Sequence, residues 1–274
     1  MTLQVNLPFN DVAQKELILA KLIIFHPLGI WEKENELVAY FSDKENFDRF
    51  VKANQDLTFY FEQIKKNVDW VAKSQRFHRI IKLKPFVIAA PFLEKKVELK
   101  PPYKFKIVIN PALAFGTGGH PTTKMCIKYL SRCVKKGASV LDMGTGSAIL
   151  SIVAEKLGAT RVVGVDIDET ALKEAEKNIK KNRCKNIYLT NSIPVEPEEK
   201  FDLVVCNILF NDIIKLEKLF ASRLKKGGDL ILSGLLYEQK MEVLNFYSKE
   251  FKFINSMRQK DKNFDWVAMF FKKL

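Results

Sequence analysis

The sequence predicts an α/β protein, a doubly wound and largely parallel sheet preceded by a small α+β domain. Three observations carry this. From Ala138 onward, short apolar runs of strand length alternate regularly with helical patterns. The stretch Val140-Leu141-Asp142-Met143-Gly144-Thr145-Gly146-Ser147-Ala148-Ile149-Leu150 reads as a buried strand end, a tight glycine turn and, from Ser147, the first turn of a helix. Residues 1–62 carry a separate, self-contained alternation of two helical and four strand-like patterns.

In that first domain, Leu3, Val5 and Leu7 alternate as a strand, and Asn10 or Asp11 caps a helix carrying Leu17, Ile18, Leu22 and Ile24. After the Pro27-Leu28-Gly29 break, Ile30-Trp31-Glu32 and Glu36–Phe41 read as strands about the turn at Glu34-Asn35. A helix starts at Asp43 with Phe47, Phe50 and Val51 inward, and Leu57–Phe61 closes the set as a strand. The order β-α-β-β-α-β is that of the split βαβ, or ferredoxin-like, arrangement. Residues 63–80 are charged and predicted helical, a connector in which Trp70 is either an anchor between domains or an ordinary core residue.

Residues 81–274 form the second domain. Strands are predicted at Phe86–Ala90 and Phe105–Ile109, then a loop, Asn110–Thr123, that concentrates Phe115, Gly116, Thr117, Gly118, Gly119, His120 and Thr122. Several special residues in one loop point to function rather than packing. Pro121 opens a helix to about Val134 with Cys126, Tyr129, Leu130 and Cys133 on one face. After the glycine turn come a strand, Arg161–Asp166, and a helix, Glu169–Lys181, with Leu172, Ala175 and Ile179 inward. Asp166 follows Gly144 by about 20 residues, the spacing at which a carboxylate accepts hydrogen bonds from ribose hydroxyls. Strands Ile187–Leu189 and Phe201–Cys206 follow, placing Asn207 at a carboxyl strand end. A helix over Asp212–Leu224, a turn at Lys226-Gly227-Gly228, a strand at Leu230–Ser233, a helix near Tyr237–Tyr247 and strands around Phe251–Ile254 and Trp266–Phe271 complete the chain.

Composition narrows the classes. The formal charge is +13 over 274 residues, but the lysines are scattered among glutamates, as in Glu174-Ala175-Glu176-Lys177. The excess therefore reads as compositional bias at least as much as an RNA-binding face, and direct RNA contact is not favoured. No apolar run has the length of a membrane span and no signal-peptide profile opens the chain, so a cytoplasmic monomer without membrane contact is expected. Cys126, Cys133, Cys184 and Cys206 show no Cys-x-x-Cys pairing; buried free thiols and no metal site are expected. The Gly-Lys-Ser/Thr ending of a phosphate-binding loop is missing, and so is the third glycine of a dinucleotide fingerprint.

Strand, Gly-x-Gly, acid at the next strand end and a polar residue at the fourth strand end resemble the seven-stranded, class I methyltransferases that use S-adenosylmethionine. The loop Phe115–Thr123, with Asn207-Ile208-Leu209, narrows the resemblance to the PrmA family, which methylates a large-subunit ribosomal protein. It is strong from about Ile107 to Leu235. Three features depart from the family pattern: Gly119 where threonine is usual, Gly-Thr-Gly-Ser-Ala (144–148) where Gly-Cys-Gly-Ser-Gly is usual, and Ser74 near the place of a second connector tryptophan.

The resemblance implies that Thr123, Gly144, Gly146, Asp166 and Asn207 contact S-adenosylmethionine, with Phe115 as a wall of the site and His120 either a second wall or a loop histidine satisfied by backbone groups. It also implies that Asn207 orients the acceptor amine, making it the one catalytic candidate, and that the small domain holds the substrate protein. Asn207 is followed by Ile208-Leu209 and not by Pro-Pro-aromatic, which favours an aliphatic amine, a lysine side chain or an N-terminus, over a planar one. Three rivals stay open: the same chemistry on another protein's lysine, the same chemistry on RNA, or a binding protein with a vestigial cofactor pocket.

Overall fold

The computed structural model describes residues 2–23, 25, 27, 29–33, 35–41, 44–64, 79–110, 118–192, 200–261 and 264–274. The chain divides into two compact units, Met1–Phe77 and His78–Leu274.

The first unit comprises β1 (Thr2–Pro8), α1 (Val12–Ile23), β2 (Gly29–Lys33), β3 (Glu36–Phe41), α2 (Lys44–Ala53) and β4 (Tyr60–Ile64). Its sheet is antiparallel throughout, in the order β2-β3-β1-β4. Period two places Leu3, Val5 and Leu7 of β1 on the face that also carries Leu37, Ala39 and Phe41 of β3, and Ile18, Leu22, Phe47 and Phe50 of the helices complete that core. Of the two candidate caps it is Asp11 that serves α1, its Oδ1 accepting the Gln14 N–H at 2.7 Å. The last strand lies further on than the sequence suggests. The Leu57 N–H bonds the Asn54 carbonyl in a turn that leaves α2, so pairing with β1 begins only at Tyr60. The predicted boundary at 62 therefore falls inside a strand, and Gln63 and Ile64 are extended, not helical. The rest of the predicted connector, Trp70 included, lies at 65–78, outside the described residues, apart from Arg79 and Ile80, which carry no regular structure.

The second unit opens with β5 (Ile81–Leu83), β6 (Phe86–Ala89) and β7 (Phe105–Val108), a three-stranded sheet in that order. Strand β5, only three residues long, was not predicted. There follow α3 (Pro121–Cys133), β8 (Ser139–Met143), α4 (Ile149–Lys156), β9 (Arg161–Val165), α5 (Glu169–Lys181), β10 (Ile187–Thr190), β11 (Phe201–Asn207), α6 (Phe210–Lys215), α7 (Glu217–Arg223), β12 (Leu224–Leu236), α8 (Lys240–Tyr247), β13 (Phe251–Lys260) and β14 (Asp265–Lys273). The helix predicted over 212–224 is thus two, broken where Leu216 turns to φ −93°, ψ 0°. The turn predicted at Lys226-Gly227-Gly228 is an interruption of the ladder: Phe201 pairs with Leu224, but Leu203 pairs with Asp229.

The large sheet has seven strands in the order β10-β9-β8-β11-β12-β14-β13, with β10 to β12 parallel and β14 antiparallel to both its neighbours. Parallel strands covered on both faces read as continuous apolar runs. In β11, Leu203 and Val205 face the core shared with α3, α4 and α5, while Val204 and Cys206 face the core of α6, α7 and α8. Cys126 and Cys206 are buried as expected; Cys133 and Cys184 are only half-buried, and all four are free. Among the described residues no helix is long and apolar enough to cross a membrane. The strand order reverses at β8, which has β9 on one side and β11 on the other. The crevice at the carboxyl ends of these three strands is where an open α/β sheet receives its ligand.

Candidate active site

At that crevice the chain leaves β8 in a turn fastened to β9. The N–H groups of Gly144 and Thr145 both donate to the Val165 carbonyl, at 2.8 and 2.9 Å, and the Gly146 N–H donates to Asp166 Oδ2 at 2.8 Å. The other Asp166 oxygen accepts the Asp168 N–H at 3.1 Å. A carboxylate accepts about four hydrogen bonds, so roughly two acceptor positions remain at Asp166, the number that a pair of ribose hydroxyls requires. The turn extends further than the sequence suggests: Ala148 sits at φ 61°, ψ 19°, and the helix begins at Ile149. This left-handed backbone accounts for the glycine that the resemblance implies here, since an alanine pays roughly 1–2 kcal/mol in that conformation.

Beneath the turn lies a carboxylate the sequence reading left without a role. Asp142 is fully buried, and its Oδ2 accepts Thr145 Oγ1–H at 2.7 Å, Ser151 Oγ–H at 2.6 Å and Ser151 N–H at 3.0 Å. Its Oδ1 has no hydrogen-bond partner. Burial pushes its pKa up to about 6, against the opposing pull of the Ser151 and Thr145 donors. A folded-state pKa above the unfolded value means that the folded protein binds the proton more tightly. Stability is therefore fully present below about pH 4 and falls as the pH rises towards 6, by at most about 3 kcal/mol from this group. In urea unfolding across that window, the difference between wild type and Asp142→Asn is expected to change with pH in this sense; a constant difference would refute it.

On the other side of β8, Asn207 ends β11. Its Nδ2 donates to Oγ1 of the buried Thr123 at 3.4 Å, while its Oδ1 is shielded from solvent and has no protein partner. A buried acceptor left open in this way suits a donor on a ligand. The next residue, Ile208, lies over the glycine turn: a Cβ on Gly144, whose φ is +73°, would stand 2.2 Å from Ile208 Cγ2. Glycine at 144 is thus required by the positive φ of the turn and by the approach of Ile208.

The family "Ribosomal protein L11 methyltransferase (PrmA)" matches residues 12–274. The chain belongs to the PrmA family. A ribosomal protein L11 methyltransferase of Neisseria gonorrhoeae is 38% identical over 229 residues, 81% of this chain and 75% of the relative. One of Dictyoglomus thermophilum is 33% identical over 252 residues, 92% of this chain and 81% of the relative. The crystal structure of a ribosomal protein L11 methylase from Lactobacillus delbrueckii subsp. bulgaricus superimposes with a TM-score of 0.62 at 30% identity, covering 71% of this chain and 98% of that one.

Of the residues that the PrmA resemblance singles out, the structure ties Gly144, Gly146 and Asp166 together through β9 and joins Thr123 to Asn207. Phe115 lies at 111–117, outside the described residues. His120 caps α3: its Nδ1 pairs with Thr122 Oγ1 at 2.7 Å and accepts the Thr122 N–H at 3.4 Å, and its ring meets Trp266 edge-on at 4.7 Å. Burial holds its pKa below the usual value, with Asp261 pulling the other way. Two exposed apolar residues were missed. Ile167, next to Asp166, is 92% exposed, and Leu209, two residues after Asn207, is 73% exposed. A hydrophobic residue directly after a strand-end acid was the available signal.

Proposed function

We propose that this PrmA-family chain transfers methyl groups from S-adenosylmethionine to ribosomal protein L11, on a lysine side chain or the N-terminal amine. The observation that carries the site assignment is the juxtaposition at the β8 switch point: Asp166 with acceptor capacity left over on one side, the open Asn207 Oδ1 on the other. The strand order of the large sheet supports a class I, Rossmann-like methyltransferase domain. The β-α-β-β-α-β order of the small unit supports a ferredoxin-like domain that holds the substrate protein. We further propose that it acts as a monomer in the cytoplasm, where a ribosomal substrate would be met.

Bound in the crevice, S-adenosylmethionine supplies a methyl group on a sulfonium. Asp166 would take the ribose hydroxyls, and Ile167 would lie against the apolar face of the nucleoside. Thr123 holds the Asn207 amide, leaving its Oδ1 to accept an N–H of the incoming amine and align the nitrogen lone pair; alignment alone supplies much of the rate. A lysine amine, with a pKa of about 10.4 in water, must arrive neutral. A shielded site lowers that value, so no dedicated base is required.

The test is transfer of radiolabel from S-adenosylmethionine to ribosomal proteins of a strain lacking the enzyme, with Asp166→Ala alongside. Label in L11, absent with the variant, is expected. Label in RNA or in another protein would overturn the substrate, and cofactor binding without any transfer would overturn the activity.

A further inference from the structure

Two buried asparagines, one on α5 and one capping its end, do more than fill space. Asn178 is 2% and Asn182 7% exposed, one helical turn apart on the face that meets β7. Asn182 treats Val108 as a neighbouring strand would: its Oδ1 accepts the Val108 N–H at 2.8 Å and its Nδ2 donates to the Val108 carbonyl at 2.7 Å. Asn178 reaches two places at once. Its Oδ1 accepts the Asn110 N–H at 2.9 Å, and its Nδ2 donates to the Ser147 carbonyl at 3.0 Å. Glu174, a turn earlier, accepts from the Asn110 side chain at 3.4 Å. Asn110 lies two residues beyond the end of β7, and Ser147 belongs to the glycine turn. One side-chain amide therefore joins the chain beyond β7 to the glycine turn, in the one orientation that satisfies both partners.

We propose that Asn178 is a positioning residue for the reaction, one that holds the glycine turn against Asn110 and so fixes the cofactor's seat. It touches neither reactant; it acts through the Asn110 N–H and the Ser147 carbonyl. The inference rests on the function proposed above. Asn182 supplies a control, because it secures Val108 in β7, two residues before Asn110, without reaching the turn.

Asn178→Asp keeps the acceptor for Asn110 and removes the donor to Ser147; Asn182→Asp makes the same chemical change one turn away. Titration of the full chain with S-adenosylhomocysteine is expected to show Kd raised about tenfold or more in Asn178→Asp and within about threefold of wild type in Asn182→Asp, at a temperature where both are folded. The KM for S-adenosylmethionine should rise in parallel, with the KM for the protein substrate unchanged. Asn178→Ser, smaller and neutral, repeats the test if the buried carboxylate prevents folding. Equal Kd in wild type and Asn178 variants, or equal losses at 178 and 182, overturns this inference alone. A wild-type chain that binds no S-adenosylhomocysteine overturns the proposed function instead.

Discussion

Asp166→Ala is expected to weaken S-adenosylhomocysteine binding by about 100-fold or more. Each hydrogen bond to a charged acceptor contributes roughly 1.5–3 kcal/mol, and two such bonds to ribose hydroxyls amount to at least about 3 kcal/mol, where 1.4 kcal/mol is tenfold. The substitution also frees the Gly146 N–H, which Asp166 holds at 2.8 Å, so the turn loses an anchor as well as the ligand an acceptor. Asp166→Asn retains one acceptor oxygen and is expected to fall between, near a tenfold loss. Calorimetric titration measures both. A folded Asp166→Ala protein that binds as wild type does would remove Asp166 from the site.

That prediction was within reach of the sequence because an acid at a strand end about 20 residues past a glycine turn has a physical purpose that spacing alone reveals. The parallel half of the fold was legible for a similar reason. Its strands are unbroken apolar runs and its helices amphipathic, so the two periods separate cleanly, and α5 lies at Glu169–Lys181 as expected. Strand β5 was not legible, since Ile81–Leu83 is too short to show a period. Nor was the late start of β4, which depends on a turn after α2 that no local pattern of Leu57–Phe61 announces. At the site, Asp142 and Asn178 were passed over because a buried polar residue in an apolar context betrays its purpose only through its partners. Those partners, nine residues away for Asp142 with Ser151 and 68 for Asn178 with Asn110, are brought together by the tertiary fold. The role of Ile208 was hidden for the same reason: nothing in Asn207-Ile208-Leu209 says that the isoleucine will cross to Gly144.

Ile208 lies between two glycines, and substitution at each should fail differently. Gly234, at φ +87°, forms a bulge in β12, where Leu232 pairs with Met269 but Leu235 with Val267. A Cβ there would stand 2.0 Å from the Ile208 carbonyl oxygen and 2.8 Å from its carbon, which are backbone atoms that no rotamer change can withdraw. Gly234→Ala is therefore expected to destabilise the protein by more than about 4 kcal/mol, beyond the usual range of single substitutions. Gly144→Ala meets only the Ile208 side chain, at 2.2 Å, together with its own left-handed backbone. Its expected cost is about 2–5 kcal/mol, the sum of overpacking and conformational strain. Ile208→Ala removes Cγ2 and leaves the Ile208 Cβ at an ordinary 3.7 Å. In that background Gly144→Ala should retain only the backbone strain of roughly 1–2 kcal/mol, a coupling of about 1–3 kcal/mol, while Gly234→Ala should cost as much as it does in wild type. Urea unfolding of the two double-mutant cycles, read as differences in which the first unit cancels, decides the matter. Rescue of Gly234→Ala by Ile208→Ala, or no rescue of Gly144→Ala, would mean that the segment after Asn207 is held in place by something other than these two contacts.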